Sequence, residues 1–139
     1  MRKLSFLIAG LGLLAATSAA ADPCKAVPDH GAAPADLLRR PFTGRVTYVG
    51  DGDGLCVALG PGPSAWVEVR LADFYAPELS EPGGPEAKAA LAGLAMDRTV
   101  TCRPVKQSYD RIVARCELAG RSLGDLMRAH GVREGGRGR

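Results

Sequence analysis

Aromatic side chains are scarce: three Phe, three Tyr and one Trp make up 5% of 139 residues. The core must therefore rest on Leu, Val and Ala. Histidine is nearly missing, with only His30 and His130, and no C-x-x-C occurs. That speaks against a zinc site, which gathers four His or Cys ligands. It also leaves a thiol nucleophile without a placed His partner. No segment after the N-terminal region is apolar enough to span a membrane. The 18 Gly and 10 Pro are scattered without a repeat, which excludes collagen-like and low-complexity chains. The length has room for one domain.

The N-terminus reads as a secretory signal peptide. Arg2 and Lys3 are followed by the apolar run Phe6–Ala16, and Ala19 and Ala21 are the small residues of an A-x-A cleavage site. Cleavage after Ala21 leaves residues 22–139. Cys24 follows Pro23 and lacks the small-residue context of a lipid-anchored cysteine. The expected location is the periplasm or the medium, as a monomer with no stable membrane insertion. All four cysteines (Cys24, Cys56, Cys102, Cys116) survive cleavage. An even number in a small exported domain implies two disulfides, with three pairings open.

Charge is unevenly spread. Residues 22–97 carry 6 basic and 11 acidic side chains, whereas residues 98–139 carry 10 and 4. Most of the basic residues are Arg, which suits bidentate contact with phosphate or carboxylate. An anionic partner is compatible with this half, as is an ordinary solvated surface.

Residues 22–43 read as a Pro-rich leader and residues 132–139 as a disordered basic tail. Between them the pattern predicts strands over Arg45–Gly50, Leu55–Leu59, Trp66–Leu71, Thr99–Cys102 and Ile112–Leu118. Asp51-Gly52-Asp53-Gly54 reads as a tight hairpin turn using the positive φ of glycine. Pro85 and Glu86 start a helix that runs to Met96, with Ala87, Leu91, Leu94 and Ala95 on one stripe. Ser122 and Asp125 form a capping box for a second helix, which buries Leu123, Leu126 and Met127 and ends at Gly131. The order β-β-β-α-β-β-α predicts a mainly β (α+β) fold, a five-stranded antiparallel barrel of the OB type with two helices. A two-layer α+β sandwich is the alternative.

Four pieces carry chemistry: D-G-D at 51–53, R-L-A-D-F-Y-A-P-E at 70–78, S-Y-D-R at 108–111 and the helix cap at Ser122. In this order they resemble the thermonuclease, or staphylococcal-nuclease-like, family over residues 44–131. The resemblance implies an exported nuclease that hydrolyses phosphodiesters of DNA or RNA on an OB barrel. It assigns Arg70 and Arg111 as a phosphate clamp, Glu78 as the group that activates water, and Asp53 as a calcium ligand. Tyr109 and Tyr75 fall beside the nucleotide. Elementary chemistry agrees with these roles. Two guanidiniums on different strands stabilise the charge that builds on phosphorus oxygens, and a carboxylate accepts the proton of the attacking water.

The departures from the family pattern concentrate on the metal. Tyr75 and Ala76 stand where the family has its second calcium aspartate and the next ligand, so Ca2+ binding would need help from Asp51 or Asp73. The alternative function is an OB module that binds nucleic acid or another anion after losing the calcium site. The barrel the resemblance implies makes Cys102 and Cys116 neighbours in one hairpin, so Cys102–Cys116 and Cys24–Cys56 are the expected disulfides.

Overall fold

Alternation of side chains decides which face of each strand the core receives, and Trp66–Leu71 shows it plainly. Val69 and Leu71 are buried while Glu68 and Arg70 lie on the opposite face. A computed structural model of the protein describes residues 21–25 and 36–135. The signal segment expected at 1–21 lies almost wholly outside these residues, as does much of the leader. Among the described residues no helix is long and apolar enough to cross a membrane.

Five strands close a barrel: β1 (Phe42–Val49), β2 (Gly54–Ala58), β3 (Trp66–Leu71), β4 (Thr99–Ser108) and β5 (Arg111–Leu118). Their order is β3-β2-β1-β4-β5, and β5 returns to pair with β3. A two-residue β6 (Arg121–Ser122) extends the sheet beside β5. Helix α1 (Gly84–Ala95) joins β3 to β4, and α2 (Leu123–Ala129) follows β6. The fold is OB-like and mostly β.

The expected antiparallel barrel needs one correction. Four pairings are antiparallel, but the β3–β5 seam is parallel, with Val69 opposite Ile112 and Leu71 opposite Ala114. The chain leaves β3, crosses over through α1 and β4, and re-enters beside β3 in the same direction. Strand ends also moved. β1 begins at Phe42, inside the expected leader, because Phe42 pairs with Cys102. β4 continues past Cys102 to Ser108, with a bulge between Pro104 and Lys106 that accommodates the missing N–H of proline.

The core is aliphatic, as the aromatic shortage requires. Val46, Leu55, Val57, Val69, Leu71, Leu91 and Ile112 are fully buried with Phe74. Helix α1 contributes Ala87, Leu91 and Ala95, and α2 contributes Leu123, Leu126 and Met127, while Leu94 is only partly buried. Ser122 caps α2 by accepting the Asp125 N–H at 3.2 Å. Gly131, at φ 75°, supplies the left-handed turn that ends it. The two disulfides are Cys24–Cys56 and Cys102–Cys116, the latter between directly facing residues with Cα atoms 4.0 Å apart. Two bridges in a small domain point to an oxidising compartment.

Candidate functional site

The β1–β2 turn sets the site. Gly52 does not use a positive φ; the left-handed glycines among the described residues are Gly83, Gly120 and Gly131. Glycine is needed at 52 for closeness instead. A Cβ there would lie 2.5 Å from the Ala76 Cβ and 2.6 Å from the Ala87 Cβ. The turn is thus pressed against both α1 and the loop that follows β3.

Asp53 holds that junction. Its side chain is 6% exposed. Its carboxylate Oδ2 accepts the Ala76 N–H at 3.0 Å and stands 3.7 Å from the Arg70 guanidinium. Its carbonyl accepts the Leu71 N–H at 2.8 Å. Asp51 Oδ1 accepts the Asp53 N–H at 3.2 Å. The Asp53 carboxyl is pushed up from 3.8 to about 6, first by burial and then by the Asp51 charge. The Ala76 N–H and Arg70 pull in the other direction without cancelling those effects.

The parallel seam brings the two expected clamp residues to one face. Arg70 is opposite Val113, and Arg111 precedes Val113 by two positions on β5, so both arginines project from the same side of the sheet. Their offset along the strands is ~6.6 Å. Arg111 also lines a cleft of about 250 Å³ together with Asp51, Glu68 and Tyr48.

Other expected site residues lie elsewhere. Glu78 is half-buried, its N–H held by the Glu81 carboxylate at 3.0 Å, and its side chain does not line the cleft; the adjacent Leu79 does. Tyr109 sits at the tip of the β4–β5 hairpin, 89% exposed. Tyr75 is bound through its backbone to the chain end: its N–H donates to Glu134 at 3.2 Å and its carbonyl accepts from Gly135 at 2.9 Å. Residues 134 and 135, expected within a disordered tail, are thus hydrogen-bonded to the site loop; residues 136–139 lie outside the described residues. Asp73 turns towards α2. Its Oδ2 accepts from the Ser122 hydroxyl and stands 3.6 Å from Arg115, and its carbonyl accepts from Arg128. Its Oδ1 is buried without a hydrogen-bond partner among the described residues.

Calcium takes six to eight oxygen ligands. Asp53 already accepts an N–H and faces a guanidinium, Asp73 serves the α2 cap, and Tyr75 and Ala76 bring no carboxylate. Among the described residues, the trio of potential ligands that converges is Asp22, Cys24 and Cys56, and both sulfurs are committed to a disulfide. The expected helper Asp51 accepts the Asp53 N–H and lines the cleft, so each carboxylate expected at the calcium site carries another contact among the described residues.

Sequence reasoning missed Tyr48, the aromatic ring in the cleft, and Asp22 beside it. A strand residue in an unremarkable T-Y-V stretch carries no signal of its own. Only the closed barrel shows which face it joins. Neither a scan against protein-family models nor a search of curated proteins returned a match.

Proposed function

We propose that the protein binds nucleic-acid phosphodiesters on the β3–β5 face and hydrolyses them there. The observation that carries this reading is the shared face of Arg70 and Arg111 on two neighbouring strands. Two guanidiniums carried by strand positions offset by ~6.6 Å along the sheet suit a phosphate that gains charge during attack. Arg70 stands 3.7 Å from Asp53, and donors fixed in place typically contribute ~10²–10³-fold. Arg70 is pre-oriented by Asp53, which limits the freedom lost on binding. Glu78, on the loop that Asp53 anchors through Ala76, is the carboxylate proposed to take the proton of water.

A second reading has its own support. The Ala76 N–H and Arg70 both occupy the Asp53 carboxylate, and Glu78 stands outside the cleft. Those features favour a module that binds the phosphodiester backbone without cutting it.

One experiment separates the two. The mature oxidised protein is incubated with single-stranded DNA, duplex DNA and RNA, with divalent metals or a chelator. Cleavage that survives the chelator and is lost in Arg70→Ala and Glu78→Gln supports hydrolysis. Salt-sensitive binding with no cleavage in any condition supports the binding module. Neither binding nor cleavage overturns both.

A further inference from the structure

We propose that the cleft beside the β1–β2 turn is a nucleobase subsite in which the Tyr48 ring is the stacking surface. The proposal rests on the phosphodiester reading above and adds to it where a base goes.

A β-bulge aims the ring. The register of β1 against β2 jumps from Val46 opposite Val57 to Tyr48 opposite Cys56. Val46 and Val49 both remain buried, so the extra residue turns Tyr48 out of the core and into the cleft. In a chain with so few aromatics, this ring enters the same cleft as Arg111. Leu79, 47% exposed, supplies a second apolar surface there. The Lys88 ammonium stands 5.4 Å from the centre of the Tyr48 ring. It steadies the ring by a cation–π contact.

Around Arg111 the cleft walls are mainly acidic. Among the described residues, Asp22, Asp51 and Glu68 line the cleft together with Arg111. A neutral, flat ligand that donates hydrogen bonds suits such walls, and a nucleobase with an exocyclic amino group is one. Asp22 is kept in place by the Cys24–Cys56 bridge and by its own acceptance of the Cys24 N–H at 2.9 Å. Adenine and cytosine offer an amino donor that thymine lacks. The subsite should therefore prefer single strands rich in A or C over T, and should ignore duplexes, whose bases are already stacked.

The test uses nuclease-resistant phosphorothioate oligo-dA, oligo-dC and oligo-dT of about twelve nucleotides, within the span one OB fold covers. Affinity for the mature oxidised protein is read by fluorescence anisotropy across a salt series. Tyr48→Ala should weaken oligo-dA and oligo-dC binding by ~10-fold without changing the salt slope, since no phosphate contact is lost. Tyr48→Phe should keep it. Tyr48→Leu, which preserves bulk without a π face, should lose it with an unchanged thermal midpoint, so a folding defect cannot imitate the result. Wild-type affinity in Tyr48→Leu, with binding still lost in Arg70→Ala, overturns the base subsite and leaves the phosphodiester reading standing. Equal affinity for all three homopolymers overturns the amino-edge preference. No binding by the wild type overturns both readings together.

Discussion

The guanidinium of Arg70 lies 3.7 Å from the carboxylate of Asp53, an acid whose side chain is 6% exposed. One residue is on β3 and the other ends the β1–β2 turn, so this pair ties the site's strand to its turn. The same carboxylate accepts the Ala76 N–H and so reaches the loop that carries Tyr75 and Glu78. A single buried acid thus connects three segments.

That burial should be visible in the pH dependence of stability. The folded-state value near 6 lies above the ordinary 3.8, so the folded protein holds this proton more tightly than the unfolded chain. The stabilisation from protonation is complete below pH 3.8 and is lost as pH rises through about 6. A gap of about two units is worth ~3 kcal/mol. Asp53→Asn should flatten this contribution in urea unfolding between pH 4 and pH 7. An unchanged slope would show that Asp53 is not its source.

On the proposed hydrolytic reading, Arg70→Ala and Arg111→Ala should each lower kcat for phosphodiester cleavage by ~10²–10³-fold. Arg70→Lys should recover little of it, because an ammonium cannot reproduce the planar two-donor fork. Steady-state rates on one oligonucleotide decide all three.

Gly52→Ala tests the close approach at the turn. The added methyl would meet Ala76 and Ala87 at about 2.5 Å, and overpacking of this kind costs ~1–3 kcal/mol. The variant should lose thermal stability and, by pushing Asp53 away from Ala76, lose affinity for oligonucleotides as well. A neutral result in calorimetry would mean that the turn and α1 separate easily.

The Cys102–Cys116 bridge closes a short loop, with a sequence separation of 14. Replacing both cysteines with Ala should cost ~3 kcal/mol in the chain-entropy account, read as a lower urea midpoint. The Cys24→Ala, Cys56→Ala pair should instead release Asp22 from the cleft while the barrel persists, because Cys24 and Cys56 tie the N-terminal segment to β2. Peptide mapping of the oxidised protein checks the pairing directly.

Much of the architecture was legible along the chain. The alternation in Trp66–Leu71 gave β3 its bounds, the S-x-x-D box placed α2, and Pro85 with Glu86 marked the start of α1. These signals are local: a strand's period, a cap and a first-turn proline each act within a few residues. The hidden features are non-local. The strand expected over Thr99–Cys102 continues, because a bulge carries β4 past Pro104 to Ser108. Gly52 looked like a residue chosen for its φ, but it is held by what packs against it.

The site divides along the same line. Residue order supplied the chemical stock: two arginines and two turn acids at recognisable spacings, four cysteines for two bridges, and too few aromatics to build a general stacking surface. Which of these groups meet depends on the folded barrel. The parallel β3–β5 seam put Arg70 and Arg111 on one face, helix α2 drew Asp73 away from Asp53, and a bulge in β1 turned Tyr48 into the cleft. Residue type fixes charge and hydrogen-bonding capacity, which are properties of one side chain. Strand register and barrel closure fix proximity, which belongs to segments far apart in the chain.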